Sequence, residues 1–318
     1  MEIWLNGAYV SDDQASVGVF DAAVQHAVGL FETMAARNGT VFRLDRHIDR
    51  LIASAEQLAL TERLKPDPLA EAVRNALERS SLTEARIRLT VTGGDLNMMR
   101  SGNSAGANDP TVIVVPQPPT PYPEEFFGNG VSVILAPGRL NPWSTSAGHK
   151  TIDYWERIRT LQQAGTVGAG EALWADPAAR VLSGCVSNLF LVKDGVLYTP
   201  HARGEQDPGQ EVPPVLPGIT REAVIEVATA TGVAVEYAQP SMDDVLAADE
   251  LFLTNASWHV LPVTSVLLRV RETAGENGGA DGDGISLQQT PIADGAVGAL
   301  TGDLRGSLLG LIDRETSA

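Results

Sequence analysis

The chain opens on two short apolar stretches, Ile3 to Leu5 and Ala8 to Val10, on either side of Asn6-Gly7. Asn-Gly accepts positive φ at both centres of a tight turn, so this spacing predicts a β-hairpin. Phe31 to Arg37 and Thr40 to Leu44 repeat the arrangement around Asn38-Gly39. Asp45 is then the expected N-cap of a helix on which Ile48, Leu51, Ile52, Ala55 and Leu58 form one apolar stripe, with Arg50 beside it. A second helix is predicted over about residues 68–80. ARIRLTVT at 85–92 alternates as a half-buried strand does, and TVIVV at 111–115 reads as another strand.

The pattern breaks at PQPPTPYPEEFFGNG, 116–130, where prolines and glycines disfavour regular structure and predict an extended connector. A smaller domain over 1–118, a connector over 119–130 and a larger domain over 131–318 follow from it. The second half predicts a strand at 131–135, a helix at 151–164, strands at 171–175 and 187–192, and a turn at Asp194-Gly195 returning to Thr199. A helix from Ile219 to Thr231 ends at Gly232, a natural left-handed cap, and strands GVAVEY, ELFLT (250–254) and VLPVTSVLLRV (260–270) complete the domain. HARGEQDPGQEVPPV at 201–215 and ETAGENGGADGDG at 272–284 read as surface insertions, the second expected to be mobile.

Composition narrows the function. Hydrophobic residues make up 43% and charged residues 20% of 318, the balance of an ordinary globular chain long enough for two domains. The net charge of −17, from 23 Lys plus Arg against 40 Asp plus Glu, disfavours nucleic acid and anionic membranes as partners and favours a small molecule. Cys185 is the single cysteine, which excludes a disulfide framework or a thiolate metal cluster and suits the cytoplasm. No stretch has the length and apolarity of a membrane span, and no metal site is expected.

Two segments carry candidate chemistry on local grounds. Lys150 lies in SAGHKTIDYWERIR, at the expected mouth of a helix, where a positive helix terminus would lower its pKa and free the amine for attack on an aldehyde. On local grounds alone a lysine before a helix is more often an ordinary solvated residue than a nucleophile. VLPGITREA at 215–223 places the amides of Ile219 and Thr220 and the Thr220 hydroxyl after Pro217-Gly218, which makes either a phosphate cradle or a plain helix start. Arg86 and Arg88 follow one another on their strand, and only one of them is expected to face a site.

Taken in order, WLNG (4–7), GLFETMAARNG (29–39), FRLDRHIDRLIASAEQLAL (42–60), RIRLTVTGGD (86–95), HKTIDY (149–154), SNLFLVKDGVLYTP (187–200), LPGITR (216–221) and ADELFLTNASWHVLPV (248–263) resemble the class-IV aminotransferases. That family includes branched-chain and D-amino-acid aminotransferases and 4-amino-4-deoxychorismate lyases. The resemblance implies an α+β, two-domain fold-type IV enzyme, with a smaller N-terminal α/β sandwich and a larger strand-rich domain with helices around it. It further implies pyridoxal 5'-phosphate as cofactor, an amino acid and a 2-oxo acid as substrates, and a homodimer.

By the same resemblance Lys150 carries the cofactor as a Schiff base and moves the proton at the substrate α-carbon. Arg50 would pair with the phosphate, which Leu216, Gly218, Ile219, Thr220 and Ala256 surround. Tyr154, placed on the lysine's side of the expected helix, matches a tyrosine that bonds the cofactor phenolate, and is otherwise a core aromatic. Phe31, Arg88, Ser257 and His26 match the substrate side, although His26 also fits a structural role. Three departures stand out. Ser183 occupies the place of the glutamate that pairs with the pyridine nitrogen, Ala256 replaces a common hydroxyl, and His26-Ala27 replaces an aromatic-glycine pair. A neutral hydroxyl supports a pyridinium less than a carboxylate does. The readings that follow are an aminotransferase, a lyase of the aminodeoxychorismate type, and a degenerate homologue that keeps the fold for binding.

Overall fold

A computed structural model describes residues 1–95, 109–271 and 285–317. The predicted hairpin forms as β1 (Glu2–Leu5) and β2 (Ala8–Ser11), joined through Asn6 and Gly7, both at positive φ. After a short α1 (Ala22–His26) come β3 (Gly29–Arg37), β4 (Thr40–Val41), α2 (Leu44–Gln57), α3 (Pro66–Ser80), β5 (Ala85–Thr92) and β6 (Val112–Gln117). They build an antiparallel sheet in the order β2-β1-β6-β5-β3-β4.

One face of this sheet is apolar because its strands alternate with period two. Leu30 and Met34 of β3 and Ile87, Leu89 and Val91 of β5 pack under Ile48 and Leu51 of α2 and Val73 and Leu77 of α3. The opposite face of the same strands carries Phe31, Thr33, Arg86 and Arg88, with Phe31 paired to Thr90 and Thr33 to Arg88.

One expectation changes here. The helix after the second hairpin begins at Leu44 rather than at a cap on Asp45. Its N-cap is Arg43, in the left-handed region at φ 51° and without a side-chain cap. Arg43 is held there by Glu226 and by Glu315, whose carboxylate accepts from its Nε at 3.3 Å, so distant acids fix a corner that local capping rules assign to Asp45.

Beyond β6 the proline-rich stretch holds one short helix, α4 (Glu125–Gly128), within the expected connector. The second sheet follows as β7 (Val131–Arg139), α5 (Trp155–Thr166), β8 (Glu171–Ala175), β9 (Val181–Gly184), β10 (Asn188–Lys193), β11 (Val196–Thr199), α6 (Ile219–Ala230) and β12 (Val235–Tyr237). It ends with α7 (Met242–Leu246), β13 (Glu250–Asn255), β14 (His259–Arg271), β15 (Ile285–Pro291) and α8 (Ala299–Thr316). The strand order is β12-β11-β10-β13-β14-β7-β8-β9, with β15 on β14. A further pairing of Ser183 with Asn188 joins β9 back to β10 and closes the strands from β10 to β9 into a ring.

The expected helix at 151–164 starts later, at Trp155. Residues 150–152 instead lie against the beginning of β3: Phe31 N donates to Lys150 O at 2.9 Å and Ile152 N to Gly29 O at 3.0 Å. The contact needs glycine at 29, since a Cβ there would sit 2.8 Å from Val91 O and 3.0 Å from Ile152 Cδ1. The backbone of Lys150 and Ile152 therefore finds partners on a strand rather than in a helical turn. The 201–215 segment has buried ends at Ala202 and Val215 and an exposed apex at 207–211. Arg203 Nη1 donates to Ala147 O at 3.0 Å and Glu205 pairs with the buried Arg221 at 2.7 Å, so both sides of the segment are tied down. The 272–284 segment lies outside the described residues.

Candidate active site

A cavity of about 570 Å³ lies between the outward face of the first sheet and the ring of the second. At one end α6 begins, capped by Gly218 with no side chain bonded to its first amides. The unpaired N–H groups of a helix start and its dipole together favour an anion. Gly218 is obligatory here because a Cβ would fall 2.0 Å from Asn188 Oδ1. Asn188 Nδ2 in turn donates to Leu216 O at 2.9 Å, which fixes the loop leading into the helix. Leu216, Gly218, Ile219 and Thr220 all line the cavity.

Arg50, on α2, reaches the same loop and donates from Nη1 to Pro217 O at 2.7 Å. Its other nitrogens grip Glu32, with Nε–Oε1 at 2.8 Å and Nη2–Oε2 at 2.5 Å, and His47 Nδ1 lies 2.8 Å from the same carboxylate. Glu32 faces α2, away from Phe31 and Thr33, and is 1% exposed. Burial alone would raise its pKa, but the charge of Arg50 and the bonds from His47 and Arg50 bring it to about 2. Burial first lowers the pKa of His47, against the raising effect of the Glu32 carboxylate, and Arg50 and Lys150 add to the lowering.

Lys150 extends into the middle of the cavity, its Nζ 4.4 Å from the ring centre of Phe31 and 5.9 Å from that of Tyr154. Burial of this amine, with Arg50 and Arg88 adding to it against the opposite pull of Tyr154 and Glu32, lowers its pKa. The depressed pKa expected from the sequence is present, but its cause is burial beside two guanidiniums and not a helix terminus. Tyr154 sits at the N-cap of α5, with its ring 5.1 Å from that of Phe31, edge to face. Burial would raise its pKa, but Lys150, Arg157, Arg88 and Arg50 together lower it.

The far wall belongs to the ring of strands. Ser183 and Thr254 face the cavity with buried hydroxyls that have no protein partner, and Trp258 Nε1 is likewise unpaired. Arg157 donates to the carbonyls of Gly184 at 3.0 Å and Cys185 at 2.9 Å. Behind them Glu171 accepts from the amides of Cys185 at 3.1 Å and Val186 at 3.2 Å and from Ser187 Oγ at 3.0 Å, bracing the turn that carries Ser183. Asn255 Oδ1 accepts from Ser257 N at 2.8 Å and Trp258 N at 3.0 Å, which shapes the loop presenting Ala256 and Ser257.

On the last side lie Phe31, Thr33, Tyr122 and the arginines of β5. Arg86 and Arg88 both line the cavity, against the expectation that one would turn away. Side chains two residues apart leave a strand on the same face. His26 stands apart, exposed at the end of α1 and outside the lining. A more open cavity of about 730 Å³ lies beyond Gly218 and Arg50, but Lys150 does not reach it, so amine chemistry belongs to the inner one.

Sequence reading missed Glu32, His47, Asn188, Thr254 and Arg157. An acid in the middle of the apolar FETMAAR strand was the one available signal, and its partners lie 15 and 18 residues away. Among the described residues no cluster of His, Cys, Asp or Glu is arranged to hold a metal, and no helix is long and apolar enough to cross a membrane.

Comparison with known proteins gives the family and the fold. Residues 29–266 match the family described as Amino-transferase class IV. A branched-chain-amino-acid aminotransferase of Pseudomonas aeruginosa is 31% identical over 271 residues, 83% of this chain and 84% of the relative. The branched-chain amino acid aminotransferase of Escherichia coli superposes with a TM-score of 0.82 at 27% identity, covering 99% of this chain and 95% of that one. The 4-amino-4-deoxychorismate lyase of Pseudomonas aeruginosa gives 0.75 at 26% identity, covering 97% and 98%.

The T.th. branched-chain enzyme, solved with pyridoxamine 5'-phosphate, gives 0.79 at 26% identity, covering 98% and 93%. The same enzyme was also solved with N-(5'-phosphopyridoxyl)-L-glutamate (0.78, 25% identity, 99% and 94% covered) and with 4-methylvaleric acid (0.78, 25%, 98% and 93%). The two-sheet α+β architecture is the fold-type IV architecture of these enzymes, and the chain belongs to the class-IV aminotransferases.

Proposed function

We propose that this chain is a pyridoxal-phosphate-dependent aminotransferase that passes the amino group of an amino acid to a 2-oxo acid, with Lys150 as the attachment amine. The observation that carries this reading is the placement of Lys150, with its lowered pKa, in a cavity that ends at an open helix start braced by Arg50.

The residues present fit the cofactor. The amides of Ile219 and Thr220 and the Arg50 guanidinium suit a phosphate, and the unpaired hydroxyls of Ser183 and Thr254 await polar partners inside the wall. When bound, pyridoxal phosphate supplies a conjugated ring that takes up the electron pair released at the substrate α-carbon. Lys150 would hold the cofactor and would carry the proton to and from the substrate α-carbon, a task a partly desolvated amine performs near neutral pH. Tyr154, its pKa lowered among cations, holds a phenolic oxygen beside the lysine, and Phe31 packs beneath both.

Ser183 contributes a hydroxyl and no charge where the resemblance calls for a carboxylate, and Ala256 contributes no donor to the phosphate. Both weaken electron withdrawal and cofactor affinity relative to a fully equipped site. A lyase acting through the same lysine is the second reading, favoured by the likeness to 4-amino-4-deoxychorismate lyase along nearly the whole chain. A homodimer is proposed as the assembly, supported by the strong exposure of Phe20, Trp143 and Trp155. A cytoplasmic setting is proposed from the single, free cysteine.

The test is the visible spectrum after incubation with pyridoxal phosphate. A band at roughly 400–430 nm should form in the wild type and be absent in Lys150→Ala. Loss of the band on adding an amino acid marks amino transfer, and release of product without conversion to the pyridoxamine form marks the lyase. A wild type without the band removes the enzyme reading and leaves a binding homologue.

A further inference from the structure

Lys150 is carried by the loop between β7 and α5, and a side chain on a loop is placed only as well as its backbone is anchored. On the far side of the lysine the anchor is β3, through Lys150 O and Ile152 N. On the near side, the bonds from Ala147 N to Ser144 O at 3.0 Å and from His149 N to Ser146 O at 3.1 Å fold the loop on itself. This side is tied to the rest of the chain by His149 Nδ1, 2.9 Å from Ser54 Oγ of α2, and by Arg203 of the 201–215 segment. Arg203 donates from Nη1 to Ala147 O at 3.0 Å and from Nε to Gln57 Oε1 at 3.2 Å. Gly148 lies in the left-handed region at φ 74°, and a Cβ on it would meet Arg203 Cβ at 2.9 Å and Pro213 O at 3.1 Å. Both legs of the segment therefore rest on the residue two before the lysine.

The same segment is fastened to α6. Glu205 accepts from Arg221 Nη1 at 2.7 Å and Nη2 at 2.8 Å, and Arg221 is buried. Arg221 belongs to the first turn of α6, directly after Ile219 and Thr220. The Arg203 amide donates to Val215 O at 2.9 Å, which joins the two legs at their base, and Pro214 lines the inner cavity. Arg203 and Glu205 are two residues apart, so one short, closed piece of chain links the lysine loop to the helix start. The exposed apex at 207–211 takes no part in these contacts.

We propose that the 201–215 segment is a brace that fixes the separation between Lys150 and the start of α6, with Arg203 as a positioning residue for the lysine and Glu205 as its anchor on the helix. What the separation serves rests on the function proposed above. One molecule held at the amine and, by its phosphate, at the helix start tolerates little error between the two points, since a displacement of about 1 Å can cost about a hundred-fold in rate. The brace acts through position. The charged and titratable groups around the amine are Tyr154, Glu32, His47, Arg50 and Arg88, none of them on the segment, and burial is the first cause of its lowered pKa. Loosening the loop lets water reach the amine and weakens that cause.

Labelling of the full chain with acetic anhydride over a range of pH, without added pyridoxal phosphate, reads the burial of Lys150 from the mass of the peptide that carries it. In the wild type the labelling midpoint should lie below that of an ordinary lysine. Arg203→Ala should raise it by about one pH unit, about a ten-fold change in labelling at fixed pH, and Arg203→Lys, which keeps the charge and a donor for Ala147 O, should recover part of the shift. Gly148→Ala should raise it as well with no change of charge, and Gln210→Ala at the apex should leave it where it is. With pyridoxal phosphate bound, Arg203→Ala should lose the band at roughly 400–430 nm about ten-fold faster on dilution, and Arg203→Lys less so. Should Arg203→Ala not fold, Arg203→Gln takes its place.

An unchanged midpoint in Arg203→Ala and Gly148→Ala, or an equal rise in Gln210→Ala, overturns the inference. The brace and the cofactor reading fail separately. A wild type that forms no band while its labelling still depends on Arg203 ends the cofactor reading and leaves the brace, and a band whose lifetime and labelling ignore Arg203 does the reverse.

Discussion

The two ends of the cavity treat positive charge in opposite ways. At the helix end, Arg50 is held by a carboxylate that is itself buried, bonded on both oxygens and tuned to about 2. At the sheet end, Arg86 and Arg88 stand on an open wall with neutral partners only. The first arrangement belongs to the folded state and persists whether or not a ligand is present. The second leaves two guanidiniums side by side with neutral partners only, and like charges on a partly buried wall cost the folded state stability.

The largest effect expected from breaking this contrast is Glu32→Gln. It leaves Arg50 partly buried without a counter-charge and should lower unfolding free energy by about 3–5 kcal/mol, read from urea denaturation. The same carboxyl sets an acid limit. Its folded pKa lies below the ordinary 4.5, at about 2, so the stability it contributes is complete above pH 4.5 and is lost as pH falls toward 2. The urea midpoint of the wild type should drop through that window more steeply than that of Glu32→Gln, and parallel curves would reject the assignment.

Gly218→Ala comes next, since its Cβ collides with Asn188 Oδ1. A loss of about 1–3 kcal/mol is expected, together with weaker retention of pyridoxal phosphate on gel filtration. Arg88→Met carries the opposite sign. Removing an uncompensated cation while keeping the contact with Phe31 should leave the ligand-free protein unchanged or about 1 kcal/mol more stable. A destabilisation as large as that of Glu32→Gln would show that the two ends are not different in kind. Ser187→Ala, which removes one bond to Glu171, is the smallest, at about 1 kcal/mol.

What the sequence disclosed follows the range of the interactions involved. Both Asn-Gly hairpins, the amphipathic α2 and the alternating β5 rest on contacts within a few residues and formed, although the return strand of the second hairpin stops at Val41 rather than Leu44 because α2 already begins at Leu44. The segment around Lys150 did not, because Thr151 pairs with Leu30, far earlier in the chain, and no local rule reports such a partner. α8 was masked by Gly302, Gly306 and Gly310, residues that disfavour helices, although Leu304, Leu308 and Ile312 recur at helical spacing and pack against Phe190 and Phe252. α7 could have been found from the capping box of Ser241 and Asp244. The helix start at Ile219 was legible because Pro-Gly before a helix is local. Glu32 was not, since its burial depends on two residues of a helix that folds over it.

The ring of strands is shut by a single residue pair, Ser183 with Asn188, whereas β13 and β14 are zipped along Leu251 to Asn255. A seam one pair wide parts at a lower free energy than a ladder, so the amides flanking it should exchange with solvent before those of the neighbouring strands. Asn188 also holds the loop at Leu216, so this seam ties the loop before α6 to the wall carrying Ser183. A molecule lying across both acts as a staple, and its occupancy can be followed as slowed deuterium uptake at residues 183–188, without any reaction taking place.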